Sequence, residues 1–179
     1  MNTSETDADI NNEDVQKLIE TLKSEDGIAR QNARIALVDI GKPALDPLIK
    51  AFEIKEDPFH WEIAKALSQI GTQKAAQVLV DALEDHDFSV RWMAAEGLIH
   101  VGSNGLILLL KALRKNTESI WLREGSHHVI HDLVKRKLVD ESTRECLLPV
   151  LDSLNHFEAV IHTNTAANNA LKVLNSDSK

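Results

Sequence analysis

Apolar residues recur along this chain at helical spacing, and the recurrence itself repeats. Between Asp87 and Arg114, Val90, Ala94, Leu98 and Val101 share one side of a predicted helix. Gly102 follows as a corner, and the run from Leu106 to Leu113 predicts a second helix. Gly41, Gly71 and Gly102 stand thirty and thirty-one residues apart, each after an aliphatic residue, Ile40, Ile70 and Val101. A fixed period of that length signals stacked helix pairs.

The companion helix repeats too, as LIETL from Leu18, LIKAF from Leu48, LVDAL from Leu79, LLKAL from Leu109 and VLDSL from Val150. Each copy sets one charged residue third in an apolar frame. The fifth copy comes forty-one residues after the fourth, which puts about ten extra residues near Lys135 to Glu141, an insertion within one array. The pattern therefore predicts one domain over residues 14–175, with five helix pairs at 14–41, 43–71, 72–102, 104–137 and 142–175. Polar, acidic residues 1–13 and residues 176–179 read as tails.

The punctuation agrees with this division. Asn12 is placed to cap a helix from Val15 to Lys23, and the SEDG turn opens one from Ile28 to Ile40. Pro43 suits the first turn of the next helix, and Asp57-Pro58 opens Phe59 to Ile70. Pro47 and Pro149 share a register within the first helices of pairs two and five, which predicts a kink in each.

Composition narrows the class. Aromatic residues make up 4% of the chain, Tyr is absent, and hydrophobic content is 43%, a balance that suits small-knob helix packing over a sheet. The expected fold is all-α. A net charge of −8 with no basic run opposes a nucleic-acid backbone. No apolar run approaches a membrane span, and the N-terminus has no signal-peptide pattern. The lone Cys146, on the apolar side of a helix, is expected to be a small buried residue of a reduced, cytoplasmic protein.

Asp87, Val90, Arg91, Ala94, Ala95, Leu98 and Gly102 follow the pattern D-x-x-V-R-x-x-A-A-x-x-L-x-x-x-G. With the paired helices and the prolines, the chain resembles HEAT repeats, most nearly the short variety named after phycobilisome lyases. The resemblance implies an α-solenoid of antiparallel pairs whose second helices line a concave inner surface. Aligning those helices gives four rows: Gln31, Trp61, Trp92, Glu124 and Thr165; Arg34, Ala64, Ala95, His127 and Asn168; Ile35, Lys65, Glu96, His128 and Asn169; Val38, Ser68, Ile99, His131 and Lys172.

Trp61 and Trp92 fall side by side in the first row, two amphipathic rings suited to a protein interface. Lys65, Glu96, Glu124, His127, His128 and His131 complete a candidate binding surface for another protein. Trp121 reads as structural. His128 and His131 with Glu96 are the residues that could approach one metal ion, although no tight metal and no cofactor are expected. Arg30, Arg91 and Arg123 each follow an acidic turn, at Asp26, Asp87 and Glu118, and are expected to pair with those carboxylates.

Enzyme readings meet obstacles in the sequence. The resemblance includes deoxyhypusine hydroxylase, which carries iron on adjacent His-Glu pairs; here the equivalent positions hold Trp61-Glu62 and Trp92-Met93. A bilin-handling, lyase-like role would draw on Trp61, Trp92, Arg34 and Lys65. No phosphate-cradling glycine loop or nucleophile elbow occurs. The expected function is a non-catalytic scaffold or adaptor holding a protein in the groove, ahead of the chromophore reading and of a metal-dependent HEAT-like oxidoreductase.

Overall fold

A computed structural model describes residues 12–54, 59–155 and 160–176. Among them there is no strand. Ten α-helices follow in order: α1 Asn12–Thr21, α2 Gly27–Ile40, α3 Leu45–Phe52, α4 His60–Ile70, α5 Gln73–Ala82, α6 Phe88–Val101, α7 Ser103–Lys115, α8 Ile120–Lys135, α9 Glu141–Asn155 and α10 Val160–Ser176. The expected all-α solenoid is the observed one.

The corners form where the periodic glycines stand. Gly41, Gly71 and Gly102 all take positive φ, at 69°, 65° and 66°, and their N–H groups close on the carbonyls of Leu37, Leu67 and Leu98. A side chain there would strain the backbone, which is why the period shows in glycine. The helix starts are capped as the acidic turns suggest. Asp26 accepts from Ile28 N–H at 2.8 Å and Asp87 from Ser89 N–H at 2.7 Å. The Asp57-Pro58 start lies outside the described residues.

The two prolines do not play the same part. Lys42–Ala44, with Pro43 at its start, is a short 3₁₀ turn, and α3 begins only at Leu45, so Pro47 falls in its first turn. An amide there has no helical partner to lose, so Pro47 kinks nothing. Pro149 does lie inside its helix, because α9 starts at Glu141, well upstream of it.

α1, α3, α5 and α7 lie side by side in one row, and α2, α4, α6 and α8 in a second. Leu22, Leu37, Leu48, Leu67, Leu79, Leu98 and Leu109 are wholly buried between the rows. The second helices approach closely because small residues face each other: Ala64 and Ala95 are buried, and a Cβ on Gly97 would sit 2.8 Å from the Cβ of Ser68. The closeness corrects part of the alignment. Arg34, Ala64, Ala95, Ser68 and Ile99 are buried, so the second and fourth rows are largely helix–helix contact, not groove lining.

The fifth pair is turned over relative to the other four. α9 packs on α8 and α10 packs on α7, exchanging the rows expected for a first and a second helix. Asn164 Nδ2 donates to the Arg114 carbonyl at 2.8 Å, tying α10 to the end of α7. Buried Ala167 and Ala170 are the small residues of α10 in the core. Thr165, Asn168, Asn169 and Lys172 therefore do not continue the rows that start on α2. The extra residues appear in a 16-residue α8, a turn, and a 15-residue α9. In that turn Lys137 adopts φ 57°, with Leu138 N–H on Leu133 O at 2.9 Å and Lys137 N–H on Val134 O at 3.2 Å. This is the paired bonding of a Schellman cap, with a lysine where the other corners have glycine.

Candidate functional site

The start of α6 and the start of α8 together build an aromatic face. Capping by Asp87 makes Phe88 the first residue of α6, out of phase with the buried stripe and 67% exposed. Ser119 Oγ accepts the Leu122 N–H at 3.2 Å, which brings Ile120 and Trp121 out on the first turn of α8. Trp121 is 42% exposed. One turn beyond Phe88 stands Trp92, 48% exposed, its ring 6.4 Å from that of Phe88.

Arg91 joins these rings. Its Nη1 donates to the carbonyls of Asp85 and His86, at 2.7 and 3.0 Å, so the guanidinium is held flat at the helix entrance. There it lies 5.6 Å from the Phe88 ring centre and 4.6 Å from that of Trp121. Arg30 repeats the arrangement two periods back, with Nη1 on Ser24 O at 2.7 Å and Glu25 O at 3.1 Å. These arginines bind turn carbonyls, not the expected turn carboxylates, and Asp26 and Asp87 instead accept from N–H groups at the starts of their own helices. Arg123 departs from both: it reaches forward to Thr163 Oγ1 at 2.9 Å and Ser153 O at 3.3 Å, in the inverted last pair.

Trp92, Glu96 and His128, expected on one face, do come together. The Trp92 and His128 rings stack with centres 4.7 Å apart, and His128 Nε2 meets Glu96 Oε1 at 2.9 Å. His127 and His131 stack one turn apart at 6.0 Å, while His131 Nδ1 turns to Asp132 Oδ1 at 3.1 Å. Burial raises the Asp132 carboxyl, but the His131 hydrogen bond and the Arg136 charge outweigh it, and the group stays below its usual range. Glu124 and His127 line an open cavity of about 530 Å³ with Ile120, Arg123, Leu154 and Asn155.

Trp61 stands apart from this cluster. It is half-buried on α4 with Lys65 Nζ 4.5 Å over its ring, and it makes no ring contact with Trp92. His128, His131 and Glu96 do not converge as a ligand set. Among the described residues no group of three or more His, Cys, Asp or Glu side chains is close enough to hold a metal ion. Cys146 is half-buried, its Sγ–H directed at Thr143 O at 3.0 Å.

Sequence reasoning missed three members of the face: Phe88, Arg91 as a bridge between rings, and Trp121. The available signal was a large apolar residue just after a helix cap, where no core position exists. It also missed a charge cluster between α2 and α4, in which Glu62 accepts from Arg34 Nε at 3.0 Å and Arg30 Nε at 3.4 Å. Arg34 Nη1 also donates to Gln69 Oε1 at 2.8 Å. A third cluster joins His60 Nδ1 to Asp85 Oδ2 at 2.9 Å and His60 Nε2 to Ile54 O at 3.0 Å. It links the starts of α4 and α6.

A family model described as HEAT repeats matches residues 15–99 and, in a second register, residues 61–130. The match ends before the inverted pair. No curated protein matches the sequence. Among solved structures, the crystal structure of one engineered protein is similar at 17% identity over 91% of this chain and 97% of that one, with a TM-score of 0.39. A second engineered protein is 15% identical over 93% and 100% of the two chains, with a TM-score of 0.26. Superpositions that loose say nothing about function. No helix among the described residues is long and apolar enough to cross a membrane.

Proposed function

This chain belongs to the HEAT-repeat family, and from that premise we propose that it is a non-catalytic scaffold or adaptor that holds another protein against its second helices. The observation that carries the reading is the exposed ring cluster of Phe88, Trp92 and Trp121 on neighbouring helices. Soluble domains seldom leave large rings grouped at the surface, and grouped rings with a polar rim are what interfaces are made of. Glu96, Glu124, His127, His128 and His131 supply that rim, and Trp61 with Lys65 extends it toward α4. A binding face on a rigid helical row needs no assembled catalytic group. A lone thiol suits a reducing, cytoplasmic setting.

The test is a capture experiment from native lysate with the chain and its Trp61→Ala, Trp92→Ala variant. An anchor role predicts that a reproducible partner is lost while helicity and melting are kept, since truncating an interface anchor costs about 2 kcal/mol or more of binding. Unchanged capture, or loss of the fold, contradicts the reading.

A further inference from the structure

The face described above has a chemistry of its own that selects among protein partners.

Two of the three indoles hold a cation over the ring. Arg91 lies over Trp121 at 4.6 Å and Lys65 over Trp61 at 4.5 Å. An aromatic face carries negative potential and draws a guanidinium or ammonium group toward it. At 42% and 48% exposure, Trp121 and Trp92 retain open surface for such a group.

The rim is acidic. Asp87 adjoins Phe88, Glu96 stands one turn from Trp92, Glu124 stands one turn from Trp121, and Glu118 lies in the turn that leads into α8. Glu118 and Glu124 are exposed and, among the described residues, neither has an ion-pair partner. Arg91, half-buried between the Phe88 and Trp121 rings, is tied to two turn carbonyls. The nearest cation along the chain from Glu118 is Lys115. Beyond the rim, the chain as a whole carries a net −8.

Resting on the scaffold reading, we propose that the partner presents a basic segment here, with apolar side chains against Phe88, Trp92 and Trp121 and arginine or lysine side chains against Glu118, Glu124 and Glu96. Such a segment is drawn in by the acidic field and held by ring contact. An acidic segment would meet the carboxylates of Glu118 and Glu124, unpaired among the described residues, while the charge of Arg91 is tied to turn carbonyls and Glu96 already holds His128.

The test uses two labelled, end-blocked peptides of about twelve residues, one alternating Arg and Leu and one alternating Glu and Leu, titrated with the full chain and followed by fluorescence anisotropy. The Arg/Leu peptide is expected to bind saturably and the Glu/Leu peptide at least about tenfold more weakly. Phe88→Ala with Trp121→Ala is expected to weaken Arg/Leu binding by about tenfold or more. Neither side chain belongs to the buried core, and circular dichroism of the variant checks the fold. Glu118→Gln with Glu124→Gln keeps the rings and leaves the core untouched. It is expected to weaken binding several-fold and to flatten the loss seen between about 50 and 300 mM salt. Equal Arg/Leu titration of the wild type and both variants overturns the site, the peptide then being held by net charge elsewhere. Preference for the Glu/Leu peptide, lost in the Phe88→Ala, Trp121→Ala variant, overturns the basic partner and leaves the scaffold reading standing.

Discussion

The Trp92 indole on α6 and the His128 imidazole on α8 stack with ring centres 4.7 Å apart and planes inclined by 30°. This contact joins two helices at the surface, not in the core. Because Trp92 is 48% exposed, its replacement by Ala should cost little beyond the stacking, about 0.5–1.5 kcal/mol. In a chain of this size that lowers Tm by about 1–6 °C. Thermal melting of Trp92→Ala checks this, and a loss of several times that size would make the ring a core residue.

Glu62 is the more demanding test of the core. It is buried between Arg34 and Arg30, and Arg34 is itself buried. Removing the carboxylate leaves the Arg34 charge without its partner, so Glu62→Ala should cost about 3 kcal/mol in urea unfolding. Replacing both Glu62 and Arg34 by Leu should cost less than the single change, because no buried charge is then stranded. A double variant weaker than the single one would show that the pair itself stabilises the α2–α4 contact.

Acid should act through the helix caps. Hydrogen bonds from the Ser89 hydroxyl and N–H hold the Asp87 carboxyl below its usual range, and those from Thr143 do the same for Asp140. A lowered folded value means that the contribution is present above the unfolded value, about 3.9, and is lost as pH falls through the folded one. Urea midpoints should therefore decline below about pH 4. Asp87→Asn with Asp140→Asn, which retains caps without the charge, should make that decline shallower. An unchanged slope would assign acid sensitivity to other groups.

The turn at Lys137 offers a gain in stability. A non-glycine residue at φ 57° is strained relative to glycine, while glycine costs more chain entropy on folding. The balance favours Lys137→Gly by roughly 0.5–1 kcal/mol. A higher urea midpoint with unchanged slope confirms it, and a lower one would mean that the Lys137 side chain contributes more than its backbone costs.

Much of the architecture is legible because the corners require glycine and the core requires leucine at fixed intervals, so Gly41, Gly71 and Gly102 mark the pairs directly. The association of Trp92, Glu96 and His128 is legible for a similar reason: helical spacing fixes two of them, and the repeat offset places the third alongside. The inversion of α9 and α10 is not, since VLDSL tells which side of α9 is buried and nothing in it tells which row the helix joins. Phe88 and Trp121 stay hidden because their neighbourhood depends on Arg91 bridging from one helix to the next, a contact with no linear signature. Arg34 and Glu62 look like surface charges in sequence. Small residues such as Ala64 and Gly97 bring α2, α4 and α6 close enough to enclose them.

The central claim is that a protein partner binds the face made by α6 and α8. The most direct measurement is hydrogen–deuterium exchange of the full chain alone and with the partner captured from lysate. The account predicts slowed exchange in residues 88–101 and 120–135, strongest in their first turns around Phe88 and Trp121. Slowing confined to α1, α3, α5 and α7, or to α9 and α10, would contradict it.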